Sequence, residues 1–136
     1  MLLIARRKNP HEAVGGWAVS KPPYTDYEWK DMNIVLGGPD MMVLNDSTCI
    51  LGSRSLYSSE KTMMFKGGTD GNFEEVCILP SGGDDNSYTG MIIVGKELWV
   101  SYYSRHGRKK AAIYLAKMPL SMFTDGRSNK YYETIW

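Results

Sequence analysis

The sequence predicts an all-β chain, and three observations predict it. Short alternating or apolar segments are separated by clusters of Gly, Pro, Asn, Asp and Ser. No long stretch carries the period of a helix. One set of apolar strands recurs along the chain at a spacing of about fifty residues, the size of a small supersecondary repeat. With 136 residues, 43% of them apolar, and a formal charge of +1, the chain suits one soluble globular unit. So small a charge creates no broad field to gather nucleic acid or an anionic membrane, and neither is predicted as a partner. The opening MLLIARRK is too short in apolar residues for a signal segment or a membrane span, which leaves the compartment open.

The elements follow from local pattern. Strand 2–7 is the apolar run LLIA closing on two arginines, 13–20 is centred on Trp17, and 27–32 alternates Tyr27 and Trp29 with charge. Strands 40–44 and 48–54 flank the turn Asn45-Asp46, and 61–66 runs into Gly67-Gly68. Strand 73–79 follows Asp70-Gly71, while 90–94 and 97–104 form a hairpin over Gly95-Lys96. The last two predicted strands are 111–117 and 131–135. Cys49 and Cys77 fall inside apolar strands and read as buried free thiols.

The repeat specifies the architecture. LLIARR (2–7), TCILGSR (48–54) and LWVSYYSR (98–105) each end in arginine, at Arg7, Arg54 and Arg105, which lie 47 and 51 residues apart. The following strands each lead to a lysine, Lys21, Lys66 and Lys117. A third register aligns DMMVLNDSTCILGSR with GMIIVGKELWVSYYSR, with Met41 on Met91. A four-stranded twisted sheet repeated in this way must stack on its neighbours to bury both faces, as a propeller blade does. The prediction is a partial β-propeller of about three four-stranded blades, at roughly 1–38, 39–86 and 87–136, with strands shared between them. Propellers close with about four to eight blades, so completion requires missing blades of a longer protein or a second copy of the chain. The start inside a strand points to a fragment; in a homodimer, YYETIW (131–136) would supply a closing strand.

Several segments resemble the six-bladed sialidase-like propellers, bacterial proteins named exo-α-sialidase-like by homology. They are LLIARRK (2–8), SKPPYTDYEWKDMNIVLGGPD (20–40), SRSLY (53–57), LPSGGDDNSYTGMIIVGKELWVSYYS (79–104) and IYLAKM (113–118). The resemblance is to the C-terminal half of such a protein. It implies a glycoside hydrolase that holds a sialoside-like carbohydrate by its carboxylate, using about three arginines from different blades for their bidentate geometry. It also implies a tyrosine nucleophile paired with a glutamate, which avoids repelling the substrate's own charge. On this resemblance Tyr88 in SYTGMIIV is the candidate nucleophile. Arg7, or its neighbour Arg6, binds the substrate carboxylate, and Arg54 is a further substrate-binding candidate by its place in the repeat. Strand alternation lets only one of Arg6 and Arg7 face a pocket. The glutamate and an acid/base aspartate would precede this chain, so one copy alone is expected to be catalytically incomplete. Relatives commonly carry proline at Thr89 and asparagine at Asp40. A non-catalytic carbohydrate-binding or structural propeller is the alternative.

Other constellations are set aside on spacing. His11 and His106 have no ligand partners at zinc spacing, and Asp84-Asp85 lacks the further oxygen ligands of a calcium loop, so no metal and no cofactor is predicted. The Gly-rich segments 37–40, 67–71 and 81–85 read as turns, and RHGRKK (105–110) as a solvated hairpin tip. Trp17, Trp29, Trp99, Tyr102, Tyr103 and Tyr114 read as packing aromatics.

Overall fold

A computed structural model describes residues 1–7, 14–54, 60–82, 85–107 and 109–125. Three antiparallel sheets hold these residues, each a meander of strands adjacent in sequence. The first sheet contains β1 (Leu2–Ala5), β2 (Val14–Val19) and β3 (Glu28–Val35). The middle sheet contains β4 (Asp40–Val43), β5 (Cys49–Arg54), β6 (Thr62–Gly67) and β7 (Phe73–Ile78). The third contains β8 (Ser87–Val94), β9 (Glu97–Ser104) and β10 (Ala112–Pro119), followed by a single-turn helix α1 (Ser121–Thr124). The chain is all-β, as the alternation predicts. Among the described residues only the middle sheet has four strands, and the predicted strand 131–135 lies outside them.

Boundary differences have local causes. The first strand stops at Ala5, so Arg6 and Arg7 lie beyond the ladder. β3 continues past residue 32 to Val35, carrying the buried Met32 and Val35 through a register shift opposite Val14 to Gly16. β8 begins at Ser87 rather than at 90, because Ser87 already pairs with Tyr103 across a bulge. The unpredicted α1 folds Phe123 into the core, a contact that four residues cannot advertise by periodicity.

Strand alternation divides the middle sheet between two cores. On one face Cys49, Leu51, Met63, Phe65 and Phe73 pack with Trp17, Met32 and Leu36 of the first sheet and its flank. On the other, Ile50 and Met64 pack with Leu98, Val100, Tyr102 and Met118 of the third sheet. The three sheets therefore stack face to face, with the middle one buried on both sides. Both cysteines are free, and burial pushes their thiols up, that of Cys77 to about 12.

One polar device joins each sheet to the next. Gly37, just after the first sheet, donates its N–H to Ser53 Oγ at 2.9 Å and accepts the Arg54 N–H at 2.9 Å. Gly82, just after the middle sheet, does the same with Ser104 Oγ at 3.0 Å and the Arg105 N–H at 3.3 Å. Both serines are fully buried, so each clasp satisfies backbone groups that have no access to water. The recurrent Ser-Arg pair at the ends of β5 and β9 is thus a structural joint first.

Candidate functional site

The end of β5 and the start of β8 meet at the clasp around Gly37, and a cluster of four side chains gathers there. Arg54 belongs to β5, and its side chain is only 12% exposed, with Nη1 3.2 Å from Asp85 Oδ1. Its guanidinium lies against Gly37, where an added Cβ would come within 3.1 Å of Nε and push the arginine side chain aside by a few tenths of an ångström. Nε is buried and has no hydrogen-bond partner among the described residues. Asp85 also lies close enough to the Tyr103 hydroxyl to raise its pKa. Tyr103 in turn stacks on Tyr88, with ring centroids 5.9 Å apart and planes inclined by 21°.

Tyr88 is held open by its backbone. Ser87 and Tyr88 both have positive φ, 113° and 47°, at the bulge that begins β8. Such conformations cost a non-glycine residue on the order of 1–3 kcal/mol and persist only where the surroundings enforce them. Here Asn86 is buried and accepts the Thr62 hydroxyl at 2.7 Å, while Ser87 Oγ donates to the Gly38 carbonyl at 3.2 Å. The Tyr88 ring rests over Gly38 and is 64% exposed. The result is a solvent-facing phenol beside a mostly buried guanidinium.

The arginine candidates separate. Ile4 shares the inter-sheet face with Trp17, its pairing partner, and Gly52 faces Thr89 of the third sheet. Arg6 lies beyond the end of β1 and is exposed. Arg7 instead pairs with Asp31 at 2.6 Å, beside Gly16 and Trp29 on the outer face of the first sheet. Arg54 and Tyr88 are thus brought into one cluster, and Arg7 is engaged elsewhere. Asp85 and Tyr103 were missed as site members: Asp85 reads as a turn acid and Tyr103 as packing, and only the fold brings them together. The available signal was that Tyr103 directly precedes the Ser104-Arg105 joint and shares the parity of Gly52.

The electrostatics of the cluster are local. Burial and the nearby Asp85 carboxylate push the Tyr103 hydroxyl up to about 12, with Arg54 opposing. Burial, with a smaller contribution from Tyr114, takes Tyr102 to about 12 as well. Both phenols stay protonated through neutral pH. Because the folded values lie above the ordinary phenol value near 10, the folded state retains protons that the unfolded chain loses. Stability is expected to hold below about pH 10 and to fall as pH rises toward 12. An ultraviolet phenolate titration should show two late tyrosines, and Asp85→Asn should bring one of them earlier; a titration unchanged by Asp85→Asn would contradict the Asp85–Tyr103 contact.

No group of three or more metal-ligating side chains occurs among the described residues, and His11 and Asp84 lie outside them. Residues 105–107, 109 and 110 form the turn between β9 and β10, largely exposed as expected of a hairpin tip. No family model, curated protein or solved structure matches this chain.

Proposed function

We propose that this chain is a segment of a sialidase-like β-propeller that binds an acidic, sialoside-like sugar at Arg54 and does not turn it over unaided. The observation that carries this reading is a mostly buried guanidinium with an unpartnered Nε, whose paired carboxylate, Asp85, is itself exposed. Asp85 reaches Arg54 from the solvent side, so an incoming carboxylate can take its place on the guanidinium. The fork geometry then gives two charge-assisted hydrogen bonds, and the Tyr88 and Tyr103 rings offer a flat surface to the sugar. Three stacked meander sheets support the propeller reading, since consecutive blades bury their faces in this manner. In the catalytic version Tyr88 is the nucleophile, and a glutamate supplied from outside this chain is its partner, because Asp85 is paired with Arg54.

The test is titration of the chain with N-acetylneuraminic acid by NMR, against its methyl ester and against a neutral hexose. Selective binding of the free acid is expected, with loss of about tenfold or more in affinity for Arg54→Lys and a gain for Asp85→Asn. A fluorogenic sialoside should not be hydrolysed by the chain alone. Equal binding of acid and ester, or indifference to Arg54→Lys, would overturn the carboxylate site and leave a structural propeller segment.

A further inference from the structure

The stacking of the three sheets has a direction. The middle sheet presents one face to the first sheet and the opposite face to the third, so both internal interfaces join the following face of one sheet to the preceding face of the next. Two faces of the stack are left over. On the third sheet, pairing sets Ile113 opposite Tyr103, Leu115 opposite Ser101, Ile92 opposite Trp99 and Lys117 opposite Trp99. These residues have the parity opposite to Leu98, Val100 and Tyr102 of the core, so they form the outward face. Ile113 is 83% exposed, and Ile92 and Leu115 are exposed as well. Lys117 lies over the Trp99 ring at 3.8 Å and covers part of this surface. On the first sheet the outward face carries the half-buried Leu3 and Ala5, with Trp29 and Tyr27 exposed and 6.4 Å apart.

We propose that a second copy of this chain covers these faces, the outward face of the third sheet in one copy receiving the outward face of the first sheet in the other. The argument is continuity. The third sheet exposes the same face that the middle sheet uses against it: Ile113 stands opposite Tyr103 as Met64 stands opposite Gly52. What meets that face within the chain is always the preceding-type face of a like sheet, and the first sheet of another copy offers one. Both faces are apolar: the third sheet contributes the exposed Ile92, Ile113 and Leu115, and the first sheet offers the exposed Tyr27 and Trp29 rings beside the half-buried Leu3 and Ala5. The contact is heterologous, so it joins two different patches and closes into a pair only when made twice. This inference does not depend on the ligand bound at Arg54.

The difference between the two patches supplies the test. Sedimentation velocity on the intact chain at increasing concentration should show a dimer or larger species. Ile113→Glu on the third sheet and Trp29→Glu on the first should each give a monomer, because each leaves every copy with only one competent patch. An equimolar mixture of the two variants should recover a weaker, singly joined dimer at high concentration, since the intact third-sheet face of one meets the intact first-sheet face of the other. Ala5→Glu replaces Trp29→Glu if circular dichroism shows that loss of the Trp29 ring unfolds the sheet. A strictly monomeric intact chain would overturn the proposal, leaving these faces to further sheets of a longer protein or to residues 126–136 of the same chain. Dimerisation that survives Trp29→Glu but not Ile113→Glu, with no recovery on mixing, would overturn it in favour of a symmetric contact through the third sheet alone.

Discussion

Replacing Trp17 by alanine is expected to cost about 3–5 kcal/mol of stability, the range for removing a fully buried large aromatic. Trp17 has no exposed surface and is the largest side chain between the first and middle sheets. Its ring meets Phe73 edge to face at 5.7 Å and lies so close to Gly71 that an added Cβ would be 2.7 Å from it. No neighbour can readily collapse into the space, because the surrounding residues belong to two sheets held at a fixed separation. Urea denaturation followed by tyrosine fluorescence and far-ultraviolet circular dichroism would measure the loss. Trp17→Phe should cost far less, since it keeps most of the apolar volume and removes an indole N–H that has no hydrogen-bond partner among the described residues. A loss below about 1 kcal/mol for Trp17→Ala would mean that the first sheet contributes little to the folded state.

Gly52→Val is expected to combine the second largest loss of stability with a loss of ligand binding. Gly52 sits within β5, between Asp40 of β4 and Met64 of β6, and faces β8. A Cβ there would overlap the Thr89 side chain, with Thr89 Cβ only 2.9 Å away. Overpacking of this kind costs about 1–3 kcal/mol and is relieved only by moving a strand. The strand that must move is β8, which carries the strained Tyr88 next to Thr89. If the proposed acidic-sugar site at Arg54 holds, affinity there should fall together with the melting temperature. Thr89→Ala in the same chain should recover part of both, and should be mild alone because Thr89 Oγ1 is buried without a hydrogen-bond partner among the described residues. Failure of Thr89→Ala to couple with Gly52→Val would place the strain somewhere other than this contact.

These two positions show how far the sequence could be read. Strand identity was legible because alternation, turn residues and the repeat are local signals, and Leu51, Met63 and Trp17 fell in strands for that reason. The Ser-Arg repeat was visible, but its meaning was not. Ser53 and Ser104 clasp glycines of the preceding turn, a relation that depends on sheet stacking and leaves no mark in spacing. Arg54 and Arg105 look alike as sequence, yet one is tucked against Gly37 and paired with Asp85 while the other is exposed. Likewise Arg6 and Arg7 are neighbours just past the end of β1, and only the ion pair with Asp31 shows where Arg7 is engaged. Tyr88 was legible as a candidate, whereas its stacking on Tyr103 depends on a bulge that no composition rule foresees.

The meander topology has a kinetic side. Every sheet pairs only strands that follow one another along the chain, so each ladder can close through short loops before any contact between sheets is made. The chain then resembles a linear array in which neighbouring units lend each other stability, and growth can begin at any of them. The middle sheet alone has two neighbours, and hydrogen exchange should find its slowest amides in β5 and β6, where Leu51 and Met64 bury opposite faces. Opening should therefore proceed inward from the first and third sheets, and the clasps at Gly37 and Gly82 mark the two points where the array comes apart.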